Sequence, residues 1–292
     1  MSERLIIFKF LTIIAALAVT ASAVTASAVA YSDDEVIGSL PEKLYSTKGD
    51  TLETMRNSSV MSSTLGEATA DAAALVSGAD FGYLCGGEMW GNLFSGELTW
   101  QQLKEAYTVD RELAVATVTP AKLKELLEVP ASHLVVDMSK NMLDVEASAH
   151  DAFPQLSDLK LYIDLSAPVG ERVRILETTD GEKLDLTDDV TEYTLVGTDY
   201  MFSGGYGMPE IEHETIGVTM AEAMAEYIQH GFTVSYNSFT KSRRVILQGA
   251  NEDTLWSRFP TGIIYAVIAL ILICQLYRKK QKRDPNDRSV DY

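Results

Sequence analysis

The run from Phe259 to Tyr277 constrains this chain more than any other stretch, because its nineteen residues carry no charge and only Thr261 and Gln275 break the apolar character. As a helix it would rise about 28 Å, close to the roughly 30 Å hydrocarbon core of a bilayer. Trp256 and Phe259 stand at one boundary and Tyr277 at the other, where aromatic rings favour the headgroup zone. Arg278-Lys279-Lys280-Gln281-Lys282-Arg283 follows at once, and a basic block of this kind stays cytoplasmic. The expectation is one transmembrane helix over 259–277 in the cell membrane. Residues 278–292 then form a basic cytoplasmic tail, and everything N-terminal to the span faces outward. A buried core helix would need no such flank.

The opposite end reads as a secretory signal over residues 1–30. Arg4 and Lys9 give the positive flank, Leu11 to Val19 the apolar run, and Ala28-Val29-Ala30 a small-residue cleavage site before Tyr31. An uncleaved N-terminal anchor is the alternative, but the small residues from Ala21 to Ala30 suit a peptidase groove better.

Between Tyr31 and Arg258 there are 38 Asp and Glu against 16 Lys and Arg, a balance of about −22. Such a surface repels nucleic-acid backbones, so no nucleic-acid partner is expected. Of the two cysteines, Cys85 lies in this segment and Cys274 inside the apolar run, so they cannot pair. The outward part must be held by its core, and roughly 225 residues suffice, since a chain above about 150 buries some 70% of its unfolded surface.

No internal repeat or low-complexity linker divides that segment. Helices are expected over Ser63–Val76, over Thr99–Tyr107 after a capping box, from Thr119-Pro120 to Glu128, and over Thr219–His230. Strands are expected at Phe81–Leu84, Leu113–Val118, His133–Met138, Leu159–Leu165, Arg172–Thr178, Tyr193–Val196 and Arg243–Leu247, with Asp180-Gly181 as a tight turn. The fold class is a mixed α/β domain, layered, with a sheet core and outer helices. Its expected bounds are an N-terminal extension over 31–56, the domain over 57–248 and a juxtamembrane stalk over 249–258.

Several stretches share one pattern. These are Gly78-Ala79-Asp80, Gly86-Gly87, Gly96-Glu97-Leu98-Thr99, Leu123 to Glu128, Pro168 to Val173, and Asp199-Tyr200-Met201-Phe202-Ser203-Gly204-Gly205. Together they resemble the C-terminal, substrate-binding domain of the 5'-nucleotidase and UDP-sugar hydrolase family. In that family a separate N-terminal metallophosphoesterase domain holds two metal ions through D-x-H, G-N-H-[DE] and G-H-x-H motifs. The four histidines here, His133, His150, His213 and His230, fall in none of these, and two-metal hydrolysis needs a full set of N and O ligands. No catalytic residue, metal site or cofactor is therefore expected. Glu210-Ile211-Glu212-His213-Glu214 reads as a solvated acidic loop rather than a weak cation site.

The resemblance implies a pocket in which two aromatic rings sandwich a base. Phe153, in the place of the family's F-x-Q motif, and Tyr200 stand where those rings would be. The family's arginine after the first Gly-Gly falls on Met89 or Trp90, its P-F-G-[NG] motif on Thr108-Val109-Asp110-Arg111, and its sugar-binding aspartate on Tyr206. Candidate pocket neighbours are accordingly Gly86, Gly87, Trp90, Arg111, Gly204, Gly205 and Tyr206. With arginine and aspartate both displaced, the first expectation is a non-catalytic module binding a nucleoside-like small molecule or a separate metallophosphoesterase chain. The alternatives are one half of a split 5'-nucleotidase and a purely structural cell-surface protein.

Overall fold

The computed structural model describes residues 31–46, 57–107, 109–231 and 244–249. The expected signal, apolar span and tail, and all of the stalk but Gly249, lie outside them. Among the described residues no helix is long and apolar enough to cross a membrane.

In chain order the strands are β1 (Val36–Leu40), β2 (Phe81–Cys85), β3 (Gly96–Thr99), β4 (Glu112–Val118), β5 (Val136–Asp137), β6 (Met142–Leu143), β7 (Pro154–Ser157), β8 (Leu159–Asp164), β9 (Val173–Thr178), β10 (Tyr193–Thr198), β11 (His213–Thr219) and β12 (Val245–Gln248). The helices are α1 (Thr64–Ser77), α2 (Trp100–Lys104), α3 (Pro120–Ser132), α4 (Val145–Ser148), α5 (Asp199–Phe202) and α6 (Met220–Gln229).

The central sheet has five strands in the order β11-β4-β10-β2-β7. Its middle pair, β10 and β2, runs parallel with Leu195 opposite Phe81, and the outer pairings are antiparallel. Side chains alternate across a strand, and here both faces are covered. Phe81, Tyr83 and Cys85 of β2, with Ala114, Ala116 and Val118 of β4, point into one core, while Leu84, Leu113 and Val196 point into the other. The first core is closed by α3 and by a second sheet, β12-β8-β9. The second is closed by α1 and α6, with Ile37, Leu40 and Leu98 of the β1–β3 ribbon. This is the mixed, layered α/β arrangement expected from the sequence.

Helix starts follow their caps. The Ser63 hydroxyl accepts from the Gly66 amide, and Thr99 with Gln102 and Thr219 with Glu222 form complete capping boxes. Three expectations are corrected by tertiary contacts. The helix from Pro120 passes Pro130 and ends at Ser132, because the Arg172 guanidinium supplies donors to the carbonyls of Ala131 and Leu134 at 2.8 and 2.7 Å. The expected strand His133–Met138 therefore shrinks to Val136–Asp137, with His133 as the helix cap. The helix from Thr99 stops at Lys104, since the backbone turns so that Tyr107 bridges Met89. The segment read as an N-terminal extension is built into the fold through β1 and a bridge from Leu44 to Leu93.

One buried amide holds the start of α1 to the sheet. Gln155 of β7 is fully buried. Its Nε2 donates to the carbonyls of Ser58 and Met61 at 2.9 and 3.1 Å, and its Oε1 accepts from the Ser63 amide at 2.8 Å and the Ser63 hydroxyl at 3.2 Å. Gly66 makes room for it, because a Cβ there would collide with the Gln155 side chain. Leaving such groups unpaired costs about 1–3 kcal/mol each. Gln155→Leu, close in volume, is therefore expected to lose roughly 3 kcal/mol or more in urea unfolding of the purified chain. A loss well under about 1 kcal/mol would show that water replaces the amide.

Candidate ligand-binding site

The site lies at the edge where β2 and β10 end side by side and β4 begins. Past Cys85 the chain makes a tight turn over Gly86–Glu88. The Gly86 and Gly87 amides donate to the carbonyls of Phe153 and Asp151 at 2.8 and 2.9 Å. A Cβ on Gly86 would fall on the Ser58 carbonyl, and one on Gly87 on the Asp151 side chain. The Gly-Gly pair is thus a packing turn, and it drives the next residue, Glu88, inward.

Glu88 is 1% exposed. Its Oε1 accepts from the Thr198 hydroxyl at 3.0 Å and lies 3.7 Å from Nε of Arg111, while Oε2 has no partner. Burial pushes its carboxyl up to about 7, against the opposing pull of Thr198 and Arg111. Thr198 closes β10 and also caps α5, accepting from the Met201 amide. That helix carries Tyr200, 38% exposed.

Arg111, immediately before β4, lays its guanidinium carbon 3.8 Å from the centre of the Tyr200 ring. Such contacts are worth about 0.5–2 kcal/mol. Tyr206 bonds Arg111 through its hydroxyl, which burial makes harder to ionise, and meets Tyr200 edge-on at 4.9 Å and 81°. Its backbone is left-handed at φ 57, an uncommon conformation for a tyrosine. Gly205 is required here, since a Cβ would strike the Tyr200 ring. From behind, Nδ1 of His213 on β11 donates to the Ile211 carbonyl at 2.6 Å and Nε2 to Asp199 at 3.0 Å. Both partners are acceptors, so these contacts favour the protonated ring and raise its affinity for a proton although burial opposes them.

The structure thus brings together Arg111, Tyr200, Gly204, Gly205 and Tyr206, and joins them to Gly86 and Gly87 through Glu88. It does not bring Phe153 to them as a second clamp ring. Phe153 is fully buried in the core and shows no face to a ligand. Met89 is buried too, whereas Trp90 is 39% exposed just beyond the turn. The acidic stretch read as a loop feeds β11 from His213 onward. Glu88 and Thr198 were not among the residues expected from sequence. An acid directly after a Gly-Gly turn was the available signal for the first.

In overall fold the chain is similar to several solved structures. A 5'-nucleotidase precursor from Thermus thermophilus matches with a TM-score of 0.56 and 20% identity over 73% of this chain. The NAD nucleotidase of Haemophilus influenzae matches at 0.56 and 15% over 76%, and a putative 5'-nucleotidase from Staphylococcus aureus in complex with alpha-ketoglutarate at 0.54 and 20% over 74%. The chain spans only 39%, 39% and 41% of the length of those proteins. No curated protein matches it. The family model described as "5'-nucleotidase, C-terminal domain" matches residues 36–213. The chain belongs to that family.

The site's titrations fix a pH dependence. Glu88, and Glu67 on α1 which burial also pushes up to about 7, bind a proton more readily folded than unfolded. Their contribution is complete below about pH 4, the unfolded carboxylate value, and is lost as pH rises through 7. His213, raised as well, acts in the same direction: its contribution is complete below about pH 6.5 and lost above. His150, lowered by burial and by His133, opposes them. The melting temperature should therefore fall between pH 5 and pH 8, and E88Q or E67Q should each flatten the slope by on the order of 2 kcal/mol. A melting temperature that climbs through neutrality in the unaltered chain would contradict these assignments.

Proposed function

We propose that this chain is a membrane-tethered, outward-facing member of its family that binds a small planar ligand without hydrolysing it. The observation that supports this most is the composition of the site. An arginine stacked on a tyrosine, a second tyrosine and a buried carboxyl are recognition groups, positioned by the sheet edge itself. The histidines are engaged in local structure. His133 and His150 stack on one another at 3.9 Å, His133 and His230 bond backbone carbonyls of their own helices, and His213 ties β11 to α5. Among the described residues, no group of three or more His, Cys, Asp or Glu stands where it could hold a metal ion. The tether is the apolar run 259–277 with its basic flank.

A second reading is favoured by length. The chain spans only 39% and 41% of the length of neighbours whose fold it shares; a separate metallophosphoesterase chain would supply the remainder, making this protein one half of a split 5'-nucleotidase.

Phosphate release from nucleoside monophosphates, with manganese or zinc added, by the purified chain alone and by the chain together with any metallophosphoesterase that copurifies with it, separates the two, because a split enzyme gains turnover from this chain only in the second case. The first reading expects none. In parallel, a nucleoside and nucleotide panel should raise the melting temperature of the unaltered chain by RT ln(1 + [L]/Kd) for some ligand. Tyr200→Ala should lose that gain, whereas Trp90→Ala tests whether the neighbouring ring shares in it. Turnover that survives removal of contaminating phosphatase would overturn the non-catalytic reading.

A further inference from the structure

The ligand class follows from what already sits in the site, granted the preceding reading that the site binds small molecules. Arg111 lies on the Tyr200 ring at van der Waals distance, and Tyr206 holds it from the side. Behind it stands Glu88, but 3.7 Å is too long for a hydrogen bond, and neither Nε of Arg111 nor Oε2 of Glu88 has a partner. The guanidinium is therefore held by a ring face, one hydroxyl and attraction across a gap, rather than by a closed bidentate pair. We propose that Arg111 is a resident cation that makes this site select planar anions and turn away neutral nucleosides.

The physical reasons concern what each ligand would displace. A neutral base that took the covered face of Tyr200 would remove the guanidinium from it, exchanging one stacking contact for another of similar strength. It would also leave Glu88 buried without its counter-charge, which is costly. A carboxylate or phosphate instead keeps the arginine and accepts from its planar fork in pairs, the geometry at which guanidinium excels. The ligand's own plane can then extend the stack, because a guanidinium plane is itself a stacking surface.

The titratable groups facing Glu88 are Arg111, Asp151, the Cys85 thiol and the Tyr83 and Tyr206 hydroxyls. Only Arg111 favours its charged form among them. An anion that engages the arginine weakens that support, so Glu88 takes up a proton as the ligand binds. Binding should then tighten as pH falls.

The test is calorimetric titration of the full chain in detergent with three probes: orotate, a planar carboxylate; uridine 5'-monophosphate, a planar phosphate; and uridine, which is neutral. We expect at least one anion to bind about tenfold or more tighter than uridine. Affinity should improve about threefold or more between pH 8 and pH 6. Whichever anion binds tighter identifies the headgroup. R111M/E88Q, which removes both charges so that neither is stranded, should bring uridine and its monophosphate within about twofold of each other. E88Q alone should keep the anion preference and lose the pH dependence. Should the double variant not fold, the comparison of probes on the unaltered chain decides alone. Uridine binding as tightly as the anions, or an anion preference that outlives loss of Arg111, overturns this inference and leaves the ligand-binding reading intact. No binding of any probe by either protein removes both.

Discussion

The side-chain amide of Gln155 is the interaction on which the arrangement turns. It satisfies two carbonyls and a backbone amide in the segment leading into α1, all away from water, and it does so from an edge strand of the central sheet. A buried amide with all its partners is specific in a way that an apolar contact is not, because a displacement of an ångström orphans several groups at once. The Ser58 carbonyl that Gln155 fixes is the atom against which Gly86 is pressed. The residues on the approach to β7, Phe153 and Asp151, receive the Gly86 and Gly87 amides. The position of Glu88 is thus decided by a network that begins about 30 residues earlier in the chain, at Ser58.

That position is expensive. A carboxyl 1% exposed, with one oxygen unpartnered and the arginine 3.7 Å away, lowers stability when charged. The fold tolerates it because Thr198 donates to it and because the proton is retained nearly to neutrality. Groups that cost stability and sit at the mouth of parallel strands are where α/β folds bind ligands. Elsewhere Arg244 forms a bidentate pair with Asp71, and Arg172 caps the end of α3.

Much of this was legible in the residues. Periodicity and caps located α1, α6, β2, β4, β8, β9 and β10 within a residue or two, because in each the local signal and the buried face agree. What escaped depended on distant partners. The helix expected to end at Glu128 runs on to Ser132, because Arg172, from the approach to β9, supplies donors to the carbonyls of Ala131 and Leu134. Val36–Leu40 carries no strong alternation and becomes a strand only against β3. In the site, the sequence placed Tyr200, Tyr206, Arg111 and the glycines near one another by analogy of position. It could not tell that Phe153 turns into the core, since an aromatic beside a turn motif reads alike whether it stacks on a ligand or on neighbouring leucines.

The charges of the site are best understood as relocated rather than lost. By position, the residues after Gly86-Gly87 offer methionine and tryptophan where the family pattern has an arginine, and Tyr206 stands in place of an aspartate. Along the chain, that looks like a recognition surface stripped of its polar groups. In space, a cation stands here from a different element, Arg111 on the approach to β4, with an acid, Glu88, on the turn behind it. Tyr206 no longer accepts like a carboxylate, but its hydroxyl now steadies the guanidinium and its ring steadies Tyr200. Moving the arginine from beside the ligand to the ring face changes what the site can hold: the stack is complete before anything arrives. On the reading proposed above, a partner must bring a group that the arginine prefers to its present surroundings, and in a segment carrying a balance of about −22 a partly exposed guanidinium draws anions against the prevailing charge.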